Sequence, residues 1–99
     1  MKLTDLEPRW LTPNLLLFIC PHCRKDRLTC KNVVMSRKEQ YTIYAEKVNA
    51  DWNMSVVPCK PEMDWTFSGS DFATLTVTPS IDASASGHWH GFITNGEIR

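Results

Sequence analysis

The chain has 99 residues, a formal net charge of zero, 42% hydrophobic residues and four Trp. This is one domain, residues 1–99, with enough apolar side chains for a core, which excludes a disordered tail. A chain this short buries only about 60–65% of its unfolded surface, so the core is marginal without a staple.

Residues 1–13 carry Pro8 and Pro13 and read as an arm that packs Trp10 onto the core. The start, Met1-Lys2-Leu3-Thr4-Asp5-Leu6-Glu7, has early acids and no apolar h-region, so no signal peptide is visible. The longest apolar run, Leu15 to Cys20, is too short to span a bilayer. A reducing, cytoplasmic setting is therefore expected, where four Cys read as metal ligands or free thiols before disulfides.

Leu15 to Ile19 reads as a buried strand running into Cys20-Pro21-His22-Cys23, with a turn through Arg24-Lys25-Asp26 and a return strand from Arg27 to Val34. Ser36-Arg37-Lys38-Glu39 fits a capping box, and Tyr41, Tyr44, Ala45 and Val48 follow at helical spacing. One helix is predicted over 37–48, against a strand suggested by the alternation of Tyr41, Ile43 and Ala45. Asp51 to Pro61 reads as a loop around Cys59. Trp65-Thr66-Phe67 and Thr74 to Thr78 are strand-like, with Pro79 ending the second, and Asp82 to Gly87 has loop chemistry. His88 to Thr94 alternates, Asn95-Gly96 signals a type I′ hairpin turn, and Glu97 to Arg99 is the return strand. The expected fold is mainly β (α+β), a small zinc-ribbon-like antiparallel β domain with one short helix.

Charge is unevenly spread. Residues 1–50 hold nine Lys/Arg against five Asp/Glu, and residues 51–99 hold two against six. Arg24, Lys25, Arg27, Lys31, Arg37 and Lys38 make up most of the excess. Such a patch suits phosphate or an acidic partner, or is simply a solvated face.

The strongest chemical signal is a ligand set for zinc. Cys20-Pro21-His22-Cys23 places two thiolates on one tight knuckle, and zinc takes four N or S ligands tetrahedrally. His88-Trp89-His90 offers two imidazoles, because residues i and i+2 of a strand share a face. The predicted site is Cys20, Cys23, His88 and His90, with Cys30 or Cys59 as replacement for a histidine. His22 is expected to point away. Four protein ligands make the metal structural; a catalytic zinc would leave one position to water, with Asp82 or Glu97 as base.

A competing reading is a thioredoxin-like dithiol oxidoreductase using Cys20-Pro21-His22-Cys23, with Thr78-Pro79-Ser80 as its proline loop. That chemistry requires a helix starting at the first Cys. Arg24 to Val34 lacks helical spacing and ends β-branched, which argues against it.

Cys20-Pro21-His22-Cys23, Trp65-Thr66-Phe67, Thr78-Pro79-Ser80-Ile81 and His90-Gly91-Phe92-Ile93-Thr94-Asn95-Gly96-Glu97-Ile98, in this order, resemble an uncharacterised family of small proteins encoded by bacteriophages and prophages. The resemblance implies a compact zinc-ribbon-like module without an assigned activity. Relatives place a Cys just before the histidine matching His90, and this chain has His88 there. The functional expectation is an interaction module for a protein or nucleic acid, with Trp10 and Tyr41 as candidate stacking residues and no membrane partner.

Overall fold

A computed structural model describes residues 1–43, 46, 56–58 and 63–99. Among the described residues the fold is mainly β, with two sheets and one short α-helix. The first sheet has the order β1 (Arg9–Thr12), β2 (Leu15–Ile19), β3 (Arg27–Lys31), β4 (Val56–Pro58). Its first three strands are antiparallel, and β4 joins β3 in parallel. The second sheet is an antiparallel meander of β5 (Thr66–Ser68), β6 (Thr76–Asp82), β7 (His90–Thr94) and β8 (Glu97–Ile98).

The apolar run of β2 follows from burial on both faces. Leu16 and Phe18 face the second sheet and join Leu28, Cys30, Trp65, Leu75, Val77, Ile81 and Ile93 in the main core. Leu15 and Leu17 face the other way, packing with Leu11 and Met35 against Ile43 of the helix α1 (Arg37–Ile43). A strand covered on both faces has no polar side to alternate with. In the second sheet β7 alternates: Gly91 and Ile93 are buried, while His90, Phe92 and Thr94 are exposed.

Two single rungs close the molecule. The Trp65 N–H donates to the Lys31 carbonyl (3.0 Å) and the Val33 N–H to the Trp65 carbonyl (3.1 Å), joining the sheets. At the other edge, Lys2 pairs with Glu97, and the Leu3 N–H donates to the Gly96 carbonyl (2.8 Å).

Several expectations hold locally. Ser36 caps α1: its Oγ accepts from the Glu39 N–H at 3.1 Å and lies 3.3 Å from the Glu39 carboxylate. Asn95 and Gly96 have φ of 49° and 75°, the two positive values a type I′ turn needs. A Cβ at Gly96 would collide with the Ala73 carbonyl, so this turn is tied to glycine twice over.

Others are corrected. The first residues are anchored by Leu3 and Leu6, fully buried on a 3-10 helix, whereas Trp10 is 40% exposed and meets only the rings of Phe67 and Phe72 among aromatic neighbours described. The return strand stops at Lys31 rather than Val34, because the Asn32 side chain accepts the Val34 N–H (3.1 Å) and turns the chain outward. Part of the expected 51–61 loop, Val56–Pro58, is a strand. Pro79 does not end β6, which runs to Asp82. The β6–β7 register slips between Val77 and Ile81, so the proline sits where no regular ladder needs its missing N–H. The predicted helix is found over Arg37–Ile43; its expected extension through Tyr44, Ala45 and Val48 lies outside the described residues.

Candidate metal centre and an open serine–histidine face

β2 and β3 form a hairpin whose turn carries the Cys-x-x-Cys knuckle. The Cys20 N–H donates to the Asp26 carbonyl (2.9 Å) and the Arg24 N–H to the Cys20 carbonyl (2.9 Å), with Arg24 left-handed at φ 61°. These bonds fold the turn back on itself.

His88 reaches this turn from the second sheet. It follows a 3-10 turn over Ser84–Ser86, is tied by its N–H to the Ala83 carbonyl (3.0 Å), and lies just before β7. One ligand atom each from Cys20, Cys23 and His88 lies within 4.8 Å of the others. The Cys23 Sγ is 3.5 Å from the His88 Nδ1. Two ligands on one tetrahedral zinc, with bonds of about 2.3 Å to sulfur and 2.0 Å to nitrogen, stand about 3.6 Å apart. The observed spacing fits.

Electrostatics favour ligation as well. Burial pushes the Cys23 thiol up, but backbone N–H groups at Asp26 and Lys25, with His88 and Cys20 beside it, outweigh this and bring it down to about 7. The Asp26 N–H lies 3.4 Å from the Cys23 Sγ. A thiolate is the metal-binding form, so a lowered thiol is already close to it at neutral pH.

The predicted ligands divide. Cys20, Cys23 and His88 come together; His90 lies outside the group. β7 begins only at His90, so His88 lies outside the strand to which the i, i+2 argument applies. His90 is exposed and paired across the sheet with Asp82. Cys30 is buried in the core on β3, away from the cluster, and Cys59 lies outside the described residues. His22 is exposed on the turn, as expected. Asp82 accepts from the Ser84 N–H (2.9 Å) and hydroxyl (2.6 Å), and Glu97 pairs with Arg99 at 3.3 Å; neither carboxylate joins the cluster as a base for bound water. The sequence reading missed Asp26, whose Oδ2 is 3.4 Å from the His88 Nε2. An acid three residues after the second Cys was the available signal.

The helix that the oxidoreductase reading requires at the first Cys is not found there. Cys20 follows β2 and opens a hairpin turn, so among the described residues no helix starts at the dithiol to activate it. The basic patch is also dispersed: Arg27 and Lys31 are buried in the sheet, and Lys31 forms an ion pair with Asp64. Arg24, Lys25, Arg37 and Lys38 remain exposed. No helix among the described residues is long and apolar enough to cross a membrane.

A second group lies on the outer face of the second sheet. Asp82 and His90 are direct partners across β6 and β7, and Ile81 pairs with Gly91. Ile81 points into the core, so alternation puts Ser80 and Asp82 on the outer side with His90. Ser80 adjoins the register slip, and its carbonyl accepts from the Trp65 Nε1 (3.3 Å). Among the three histidines, His88 is engaged by Cys23 and Asp26 and His22 sits in the Cys20–Cys23 turn, whereas His90 is exposed on β7 with Asp82 as its cross-strand partner.

Residues 5–99 match the family described as bacterial ubiquitination-like system serine protease (BubE). That description is of a bacterial system and makes no reference to phages. No curated protein and no solved structure matches the chain.

Proposed function

Since the chain belongs to the BubE family, we propose that it is a small serine peptidase of a bacterial ubiquitination-like system, built on a sheet that a structural zinc holds in place. The observation that carries this reading is the β6–β7 pairing, which puts Ser80, Asp82 and His90 on one open face. Ser80 is the nucleophile: its hydroxyl attacks the scissile carbonyl while the His90 imidazole takes the proton. His90 then gives that proton to the leaving amine, and water releases the acyl group from Ser80. Asp82 orients and supports the imidazolium, with Ser84 donating its N–H and hydroxyl to the Asp82 carboxylate. An exposed strand face suits a macromolecular substrate, and a ubiquitin-like protein is the one the family description points to.

Zinc is the metal that the donor set favours. Two thiolates and an imidazole are soft and borderline ligands, which suit zinc over the oxygen-loving cations. Its role is that of a zinc-ribbon clip joining the β2–β3 turn to the segment entering β7, and it takes no part in bond cleavage.

Labelling with a fluorophosphonate probe tests the reading. The zinc-loaded protein is expected to be labelled at Ser80, with labelling lost in Ser80→Ala and His90→Ala and kept in Ser68→Ala. Zinc-loaded protein that stays unlabelled, or is labelled elsewhere, overturns it. A second reading, a zinc-clipped interaction module without catalysis, is favoured by the ligand cluster taken alone. It predicts an inert protein that still binds its partner. A protein partner suits it better than nucleic acid, because burial of Arg27 and Lys31 breaks the basic surface.

A further inference from the structure

Asp26 binds each of the three metal ligands through a different group. Its carbonyl accepts from the Cys20 N–H at 2.9 Å. Its own N–H points to the Cys23 Sγ at 3.4 Å. Its carboxylate Oδ2 stands 3.4 Å from the His88 Nε2. The first two contacts are backbone and would survive substitution. The third depends on the side chain.

We infer that Asp26 is the positioning residue of the metal centre: it holds His88 with its proton on Nε2, so that Nδ1 is the metal-binding atom. The inference rests on the zinc reading of Cys20, Cys23 and His88 and extends it to the choice of ring atom. The geometry makes that choice one-sided. Nδ1 faces the Cys23 sulfur at 3.5 Å, the spacing of two ligands on one ion, while Nε2 faces a carboxylate that is itself outside the ligand cluster. A neutral imidazole has one N–H and one lone pair. With a carboxylate at Nε2, the N–H goes there and the lone pair is left at Nδ1. The carboxylate also stops the ring from swinging away. His88 needs such a tether more than the cysteines do, because it alone comes from the second sheet, on a segment that is not yet a strand.

The test uses the full chain, zinc and a chelator of known affinity. Asp26→Ala is expected to weaken zinc binding about 10–100-fold, the usual effect of removing an outer carboxylate. Asp26→Asn, which still accepts a hydrogen bond but carries no charge, is expected to fall between it and the wild type. In the zinc-loaded wild type, long-range proton–nitrogen spectra of His88 are expected to show a proton on Nε2 and a metal-shifted Nδ1. Should the alanine variant fail to fold, the spectrum of the wild type and the asparagine affinity still decide. Wild-type affinity in both variants, or a metal-shifted Nε2, overturns the role of Asp26. Failure of the underlying zinc reading looks different: the wild type itself would bind no zinc, or Cys20→Ser would bind it unchanged.

Discussion

His88 and His90 are two residues apart and have opposite surroundings. His88 is drawn into a polar cluster made by the other sheet, touching Cys23 on one ring edge and Asp26 on the other. His90 stands on an open strand face, with Asp82 across from it and solvent above. The first arrangement connects parts of the chain far apart in sequence; the second leaves a ring accessible to an incoming molecule. Trp89 separates them. Its ring meets Phe18 edge-on at 6.1 Å and lies beneath Gly91, where a Cβ would clash with it. Under the proposed function, one segment thus serves a structural role at its first histidine and a chemical role at its second.

Substitutions should pull these roles apart. The largest effect is expected on turnover. Ser80→Ala should lower peptidase activity by about 10⁴-fold or more, as loss of a serine nucleophile does, while a denaturant titration should shift by no more than about 0.5 kcal/mol. Cys20→Ser, or removal of zinc with a chelator, should do the reverse in origin: cooperative unfolding is lost first, and activity only in consequence, because the metal's binding energy is folding energy. Calorimetry with and without zinc measures this, and an unchanged transition would dissolve the distinction between the two histidines.

Phe18→Ala should cost about 3–5 kcal/mol, as for other fully buried aromatics. It removes the ring that supports Trp89, so zinc affinity should fall along with stability. A smaller effect concerns reactivity. With its thiol near 7, Cys23 in metal-free protein should be alkylated by iodoacetamide at neutral pH well before the buried Cys20 and Cys30. Zinc should protect it, and mass spectrometry of the labelled peptides reads both states. Smallest of all, Ser36→Ala should cost about 1 kcal/mol through loss of the α1 cap and leave both histidine sites untouched.

The strands were legible because burial writes itself into side-chain order. The unbroken apolar run of β2 and the alternation of β7 each reported how many faces were covered. Asn95-Gly96 and the Ser36 cap were legible because each is a local hydrogen-bond or φ requirement. Pro79 misled, since the slip in pairing that tolerates it is a property of two strands together and leaves no mark on one. The knuckle was equally local, and Cys20 and Cys23 meet as expected. His88 and His90 needed the strand boundary to be known within one residue, and the i, i+2 rule applied across it grouped two rings that belong to different surroundings. Asp26 and the Ser80 face were invisible for the same reason: their partners come from across a sheet or from the other sheet.

The pairing of Lys2 with Glu97 sets an order of events during synthesis. β1, β2 and β3 are neighbours in sequence and can pair as soon as they leave the ribosome. The Leu3–Leu6 segment, made before its partner, must wait for the β7–β8 hairpin, and Cys20 and Cys23 must wait for His88. Contacts between such distant parts of the chain are slow to form. Until they do, Leu3, Leu6 and two thiols are exposed to whatever the nascent chain meets, and chaperones or free zinc in the cell have that interval in which to act.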